Sequence, residues 1–245
     1  MTSPSDPVAN VPTRRDFLGA LAATGAALAL SGCTTAGGAN ASTSAAATPA
    51  PAPSASLPPA KNDGPWDNSW MARVSQATHR QVFDCPSYQD GGALFFAKNY
   101  LNAMRDAFDS AAPAVQVAIG LHGDAYPIAF SDAMWAKYKF GERVKAKDPR
   151  TNQFATRNVL WQPREGEETY EYSVNALQSR GAIILLCNNV LRRVIRGIMG
   201  DSKRSYADVR GELVAGLLPG VIVVPAMAAA IGMAQEHGCS YVYAG

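Results

Sequence analysis

Residues 182–187 read AIILLC, six apolar residues with no polar break, and residues 188–200 read NNVLRRVIRGIMG, with apolar positions three and four apart. A strand with no polar face has to be covered on both sides, and a helix that follows it at once begins to supply the cover. That pairing directs the chain toward an α/β fold, and it recurs. RQVFDC (80–85), AVQVAIGLHG (114–123), VIVV (221–224) and SYVYA (240–244) are predicted strands. Helices are predicted over 91–111, 132–140, 171–180, 189–200, 206–217 and 226–238. In the first, Leu94, Phe95, Ala97, Leu101, Met104 and Phe108 supply the apolar spacing. Right-handed crossovers between five such strands give a mainly parallel sheet with helices on both faces. Residues 141–165, polar and carrying Pro149 and Pro163, read as a long loop or insertion.

The stretch from Val214 to Ala234 carries no charge. Pro219, Gly220 and Pro225 interrupt it, so it reads as a buried strand followed by a helix starting at proline rather than as a membrane span.

The N-terminus has a different character. TRRDFLGALAATGAALALSGC places Arg14 and Arg15 before an apolar stretch from Phe17 to Leu30. That stretch falls short of the roughly 20 residues a membrane span needs and reads as the apolar part of a twin-arginine export signal. Leu30 to Cys33, LSGC, has the form of a lipoprotein box, with Cys33 as the lipidated residue. Residues 34–60 contain no charge and are rich in proline, alanine and serine, a composition that cannot bury a core. The expected organisation is a signal over 1–33, a disordered linker over 34–64 and one domain over 65–245. The expected location is the periplasmic face of a bacterial membrane, held by the lipid on Cys33. The absence of Asp at position 34 favours the outer membrane. The 22 basic and 20 acidic residues nearly balance, which gives no support to a nucleic-acid partner.

Parallel sheets keep their sites at the C-terminal ends of the strands. Cys85, His122 and Cys187 fall at three such ends. Asp124 is placed to orient His122, and Asn188 to cap the helix that starts beside Cys187. Unpaired N–H groups and the positive end of that helix favour a thiolate. A buried, inert thiol is the plainer account of Cys187. Should the first and third strands be neighbours, Cys85 and Cys187 come within reach of a disulfide. Cys85, His122 and Cys187 are also acceptable zinc ligands, although they lack paired spacing, and the balance is against a metal. Cys239 reads as core, and His79 and His237 as surface residues. Arg192, Arg193 and Arg196 read as a solvated helix face, with an anion or partner contact as the alternative. The Gly91–Gly92 pair is a weak anion-cradle signal. No CxxC, phosphate-loop, dinucleotide or Gly-x-Ser-x-Gly motif occurs, and no cofactor is expected.

LLCNNVLRR (185–193) resembles the strand–Cys–helix segment of the DsrE/DsrF-like superfamily. LLPGVIVVPAMAAAIGMAQEHGCSYVYAG (217–245) is similar to its C-terminal strand–helix–strand. HGDAYPIAFSDAMWAKYKFGE and DPRTNQFATRN resemble an exported branch of unknown function. The resemblance covers roughly residues 79–245. It implies a flavodoxin-like three-layer α/β/α fold with a five-stranded, mainly parallel sheet, and a homo-oligomer. It also implies sulfur carried as a persulfide on Cys187. Combined with the export signal, it leads to the expectation of a lipid-anchored sulfur-handling or thiol-redox carrier. Its partners would be small sulfur species or a thiol. A non-enzymatic binding or assembly module using the same strand-end pocket is the alternative.

Overall fold

The computed structural model describes residues 63–200 and 202–245. The twin-arginine stretch, Cys33 and the linker up to residue 62 lie outside the described residues. The linker's expected last two residues, Asp63 and Gly64, lie inside.

Five strands form one sheet: β1 His79–Cys85, β2 Val115–Leu121, β3 Ile183–Cys187, β4 Val221–Val224 and β5 Ser240–Tyr243. All pairings are parallel and the order is β4-β3-β2-β1-β5. Helices cover both faces, so the fold is a flavodoxin-like three-layer α/β/α sandwich. Its strand order differs from the 2-1-3-4-5 of flavodoxin itself. Every residue of β3 is buried, and β2 is buried except at Gln116. The two edge strands, β4 and β5, stay partly exposed. The unbroken apolar run of residues 182–187 thus lies in the interior of the sheet, where both of its faces are covered.

The helices are α1 Ser69–Gln76, α2 Gly92–Phe108, α3 Asp132–Tyr138, α4 Phe140–Val144, α5 Val174–Ser179, α6 Asn188–Gly200, α7 Tyr206–Ala215 and α8 Met227–Glu236. Three successive steps, β1 to β2 to β3 to β4, move across the sheet in one direction. The last connection returns over the sheet to place β5 beside β1. With right-handed crossovers, that reversal puts α8 on the face opposite α2 and α5. Accordingly α8 packs on β1, β2, β3 and β5 with α1 beside it, while α2 and α5 pack together on the other side.

Helix α1 was not expected from the sequence. It has only eight residues, and two of them, Trp70 and Val74, one turn apart, are buried. In α2 the stripe Leu94, Ala97, Leu101 and Met104 is buried as the spacing predicts. Phe95 and Phe108 are exposed instead. The uncharged stretch 214–234 divides into the end of α7, β4 and most of α8. No helix among the described residues is long and apolar enough to cross a membrane.

Residues 141–165, expected as a long loop or insertion, begin inside α4 and continue as an ordered insertion that contributes to the domain core. Val159 and Leu160 are buried, and the buried Asn158 side chain donates to the carbonyls of Ile128 and Phe130. Arg157 donates to Asp148, and Arg150 to Glu167, which ties the polar surface of the insertion together. Polar composition marks its surface, but the few apolar residues it buries hold its shape.

The N-terminal edge of the domain is also anchored. The Asp63 carboxylate accepts hydrogen bonds from Asn188 at 3.0 Å, from Arg192, and from the Tyr206 hydroxyl at 3.2 Å. Arg210 donates to the Asp63 backbone carbonyl at 2.7 Å. Two residue pairs one helical turn apart, Asn188 with Arg192 and Tyr206 with Arg210, make this cradle. The hydrogen bonds to Asn188 and Arg192, and the charges of the two arginines, outweigh desolvation and hold the Asp63 carboxyl below the usual carboxylate range. Ordered chain therefore begins at least two residues before the domain boundary read from composition.

Candidate functional site

The strand-end residues are sorted by the pleat. Cys85 pairs with Leu121, and Leu121 with Leu186. Side chains alternate between faces along a strand. Cys85 therefore points to the same face as Leu121 and Leu186, whereas Asp84, His122 and Cys187 point to the other, under α8. Cys85 is buried there and its thiol donates to the Ser87 carbonyl at 3.5 Å.

Strand β2 also separates β1 from β3. Two strand spacings of about 4.8 Å put the Cα atoms of Cys85 and Cys187 near 10 Å apart, beyond the ~7 Å limit for a disulfide. Both are free thiols, as is Cys239. The disulfide expectation fails because the two strands are not neighbours. The three-ligand metal reading fails because Cys85 faces away. No group of three or more potential ligands occurs among the described residues.

Asp84, His122 and Cys187 line one cavity of about 640 Å³ at the C-terminal end of the sheet. His122 Nε2 lies 2.6 Å from Asp84 Oδ1, and the Tyr241 hydroxyl donates to Asp84 Oδ2 at 2.8 Å. One carboxylate thus holds a histidine from the end of β2 and a tyrosine from β5. It sits where the strand order reverses, the place at which open parallel sheets bind ligands.

Asp124, expected to orient His122, is exposed and lies 3.6 Å from Arg193. The orienting carboxylate is Asp84. Neither Asp84 nor Tyr241 was picked out from the sequence. The available signal was a charged residue inside the apolar strand VFDC, since a carboxylate only 9 % exposed has to be satisfied by partners.

Cys187 ends β3 and Asn188 begins α6 with no loop between them. Asn188 does not cap the helix through its side chain. It is buried against Asp63 and accepts a hydrogen bond from Arg210. The sulfur is held instead by α8, because the Met227 backbone N–H donates to Cys187 Sγ at 3.3 Å. Ala226, at the N-cap of α8, offers no side-chain cap, so sulfur from a neighbouring strand takes one of the unpaired N–H groups. Gly120 leaves room for the Met227 side chain, since a Cβ there would stand 2.5 Å from Met227 Sδ and the side chain would have to shift.

The remaining walls are mostly apolar: Val190 of α6, and Ala226, Met227, Ala228 and Ile231 at and within α8. Asn189 and Gln235 supply neutral polar groups. Among the described residues no lysine or arginine lines the cavity. Arg192 is engaged by Asp63, Arg193 donates to the Gly123 carbonyl, and Arg196 donates to the Arg192 carbonyl.

All three thiols are buried, and of the three Cys187 lines the cavity. Burial, reinforced by Asp84, pushes the Cys85 thiol up to about 12, and burial raises Cys239 to about 11. A raised thiol pKa favours the folded state fully below the unfolded value of about 8.5, and that contribution is lost as pH rises toward the folded value. In the folded chain, iodoacetamide is expected to alkylate Cys187, which lines the cavity, faster than Cys85, which is turned to the opposite, covered face. Peptide mapping checks this. Labelling of Cys85 as fast as Cys187 would contradict the assignment of faces.

No family model and no curated protein matches the chain. Among solved structures, it is similar to MTH1491 from Methanobacterium thermoautotrophicum, a protein of unknown function. The two share 19 % identity with a TM-score of 0.38, over 67 % of this chain and 98 % of that one.

Proposed function

We propose that Cys187 is a nucleophilic thiol for sulfur-handling or thiol-redox chemistry, in a carrier of the DsrE-like kind exposed to the periplasm. The observation that carries this reading is the setting of its sulfur. It lies at the end of an interior strand and accepts an N–H bond from the first turn of α8. It also opens on a cavity shared with a carboxylate-bound histidine. The thiolate is the attacking species in such chemistry. The resemblance in LLCNNVLRR adds a persulfide as the form in which sulfur would be carried.

Residues 1–33 add the proposal of export and lipid attachment at Cys33. Such a location makes small sulfur compounds or extracytoplasmic thiols the natural partners.

Mass spectrometry of the folded chain tests the reading. After incubation with polysulfide, thiosulfate or an organic disulfide in excess, a covalent adduct is expected on Cys187. It should be absent in Cys187→Ser and sensitive to dithiothreitol. Folded protein that gives no adduct on Cys187 with any of the three would remove the proposal.

A further inference from the structure

Resting on that reading, we propose that the Cys187 cavity selects uncharged, apolar organic disulfides and discriminates against small oxoanions and dianionic disulfides. The argument is one of charge and wall chemistry. Anion sites are built with arginine, lysine or several unspent backbone N–H groups. Among the described residues no lysine or arginine lines the cavity, and the Met227 N–H is spent on Cys187 itself. Asp84, the only carboxylate that lines the cavity among the described residues, already accepts from His122 and Tyr241, and it repels a second anion. Val190, Met227 and Ile231 instead provide apolar surface. A volume of about 640 Å³ lies within the range of small-molecule sites.

The reaction needs no further reagent. His122 takes the proton from Cys187 Sγ, and the sulfur electron pair attacks one sulfur of R–S–S–R. The S–S bond breaks and its pair leaves on R–S⁻, which takes the proton back from His122. The products are Cys187–S–S–R and R–SH. Cysteine is oxidised to the mixed disulfide as half of the substrate is reduced to thiol. His122 Nε2 is occupied by Asp84, so Nδ1 is the nitrogen left to carry the proton.

Rates of Cys187 adduct formation in the full chain would be measured with diethyl disulfide, dithiodiglycolate and thiosulfate. Each is divided by its rate with a small free thiol to remove intrinsic reactivity. The normalised rate for diethyl disulfide should exceed those of both anions by about tenfold or more, a factor that shrinks with added salt. Gln235→Lys places a cation on an exposed wall position outside the reacting groups. It should raise the dithiodiglycolate rate relative to the diethyl disulfide rate about fivefold. Equal or faster reaction with either anion, or no change in that relative rate in Gln235→Lys, overturns the selectivity. Iodoacetamide separates the two levels of failure. Cys187 alkylated but anion-preferring sinks this inference and leaves the thiol chemistry standing, whereas Cys187 inert to every reagent removes both.

Discussion

His122→Asn is expected to slow disulfide exchange at Cys187 by about 10²- to 10⁴-fold at neutral pH, the usual worth of a positioned acid–base group. His122 directly follows β2, the neighbour of β3, and faces the same cavity as Cys187. Without the imidazole, water must take the thiol proton and return it to the leaving sulfur. Stopped-flow exchange with a chromogenic disulfide across pH reads the loss. The deficit should narrow at high pH, where hydroxide ionises the thiol directly. Tyr241→Phe removes one of two bonds to Asp84 and leaves the His122 bond, so its loss should be far smaller, about tenfold or less. A constant deficit across pH would mean that His122 shapes the pocket without moving a proton. Circular dichroism of both variants separates that outcome from misfolding.

The largest expected stability effect falls one residue further on. Gly123→Ala should cost about 3 kcal/mol or more and lower Tm by about 6 °C or more. Gly123 has φ +53, and a Cβ there would sit 2.1 Å from the Pro86 carbonyl oxygen. That oxygen also accepts the Asp124 N–H at 2.8 Å, so the β1 and β2 ends are locked at this turn. Gly166→Ala is the control. Gly166 has φ +86 but open space around its Cβ, so it should cost only about 1 to 2 kcal/mol from backbone strain. Thermal or urea unfolding of the pair separates the steric part from the dihedral part. Equal costs would show that the close approach at Pro86 relaxes freely. Because the turn also positions His122, surviving Gly123→Ala protein should show slowed exchange.

Much of the fold was legible in local pattern. The apolar runs ending at Cys85 and Cys187, and VIVV at 221–224, marked strands because a buried parallel strand has no polar face to show. The stripe Leu94, Ala97, Leu101 and Met104 marked α2 through helical spacing. Short or mixed elements were not legible. Helix α1 offers only Trp70 and Val74 as buried anchors. The insertion around Asn158 is held by hydrogen bonds to chain about thirty residues away, which no window of sequence contains.

The sequence by itself determined that the chain carries strands joined by helices and that Cys187 and His122 fall at strand ends, because hydrophobic period and turn residues are local properties. Only the tertiary structure decided which of those residues meet. The order β4-β3-β2-β1-β5 placed β2 between the two cysteine strands, and the pleat turned Cys85 to the opposite face. The same order brought β5 beside β1, which joined Tyr241 to Asp84 across 157 positions of sequence. It carried α8 over the sheet until its Met227 N–H met Cys187 Sγ. Strand order follows from crossover direction and the burial of whole layers, and neither is written in any one segment.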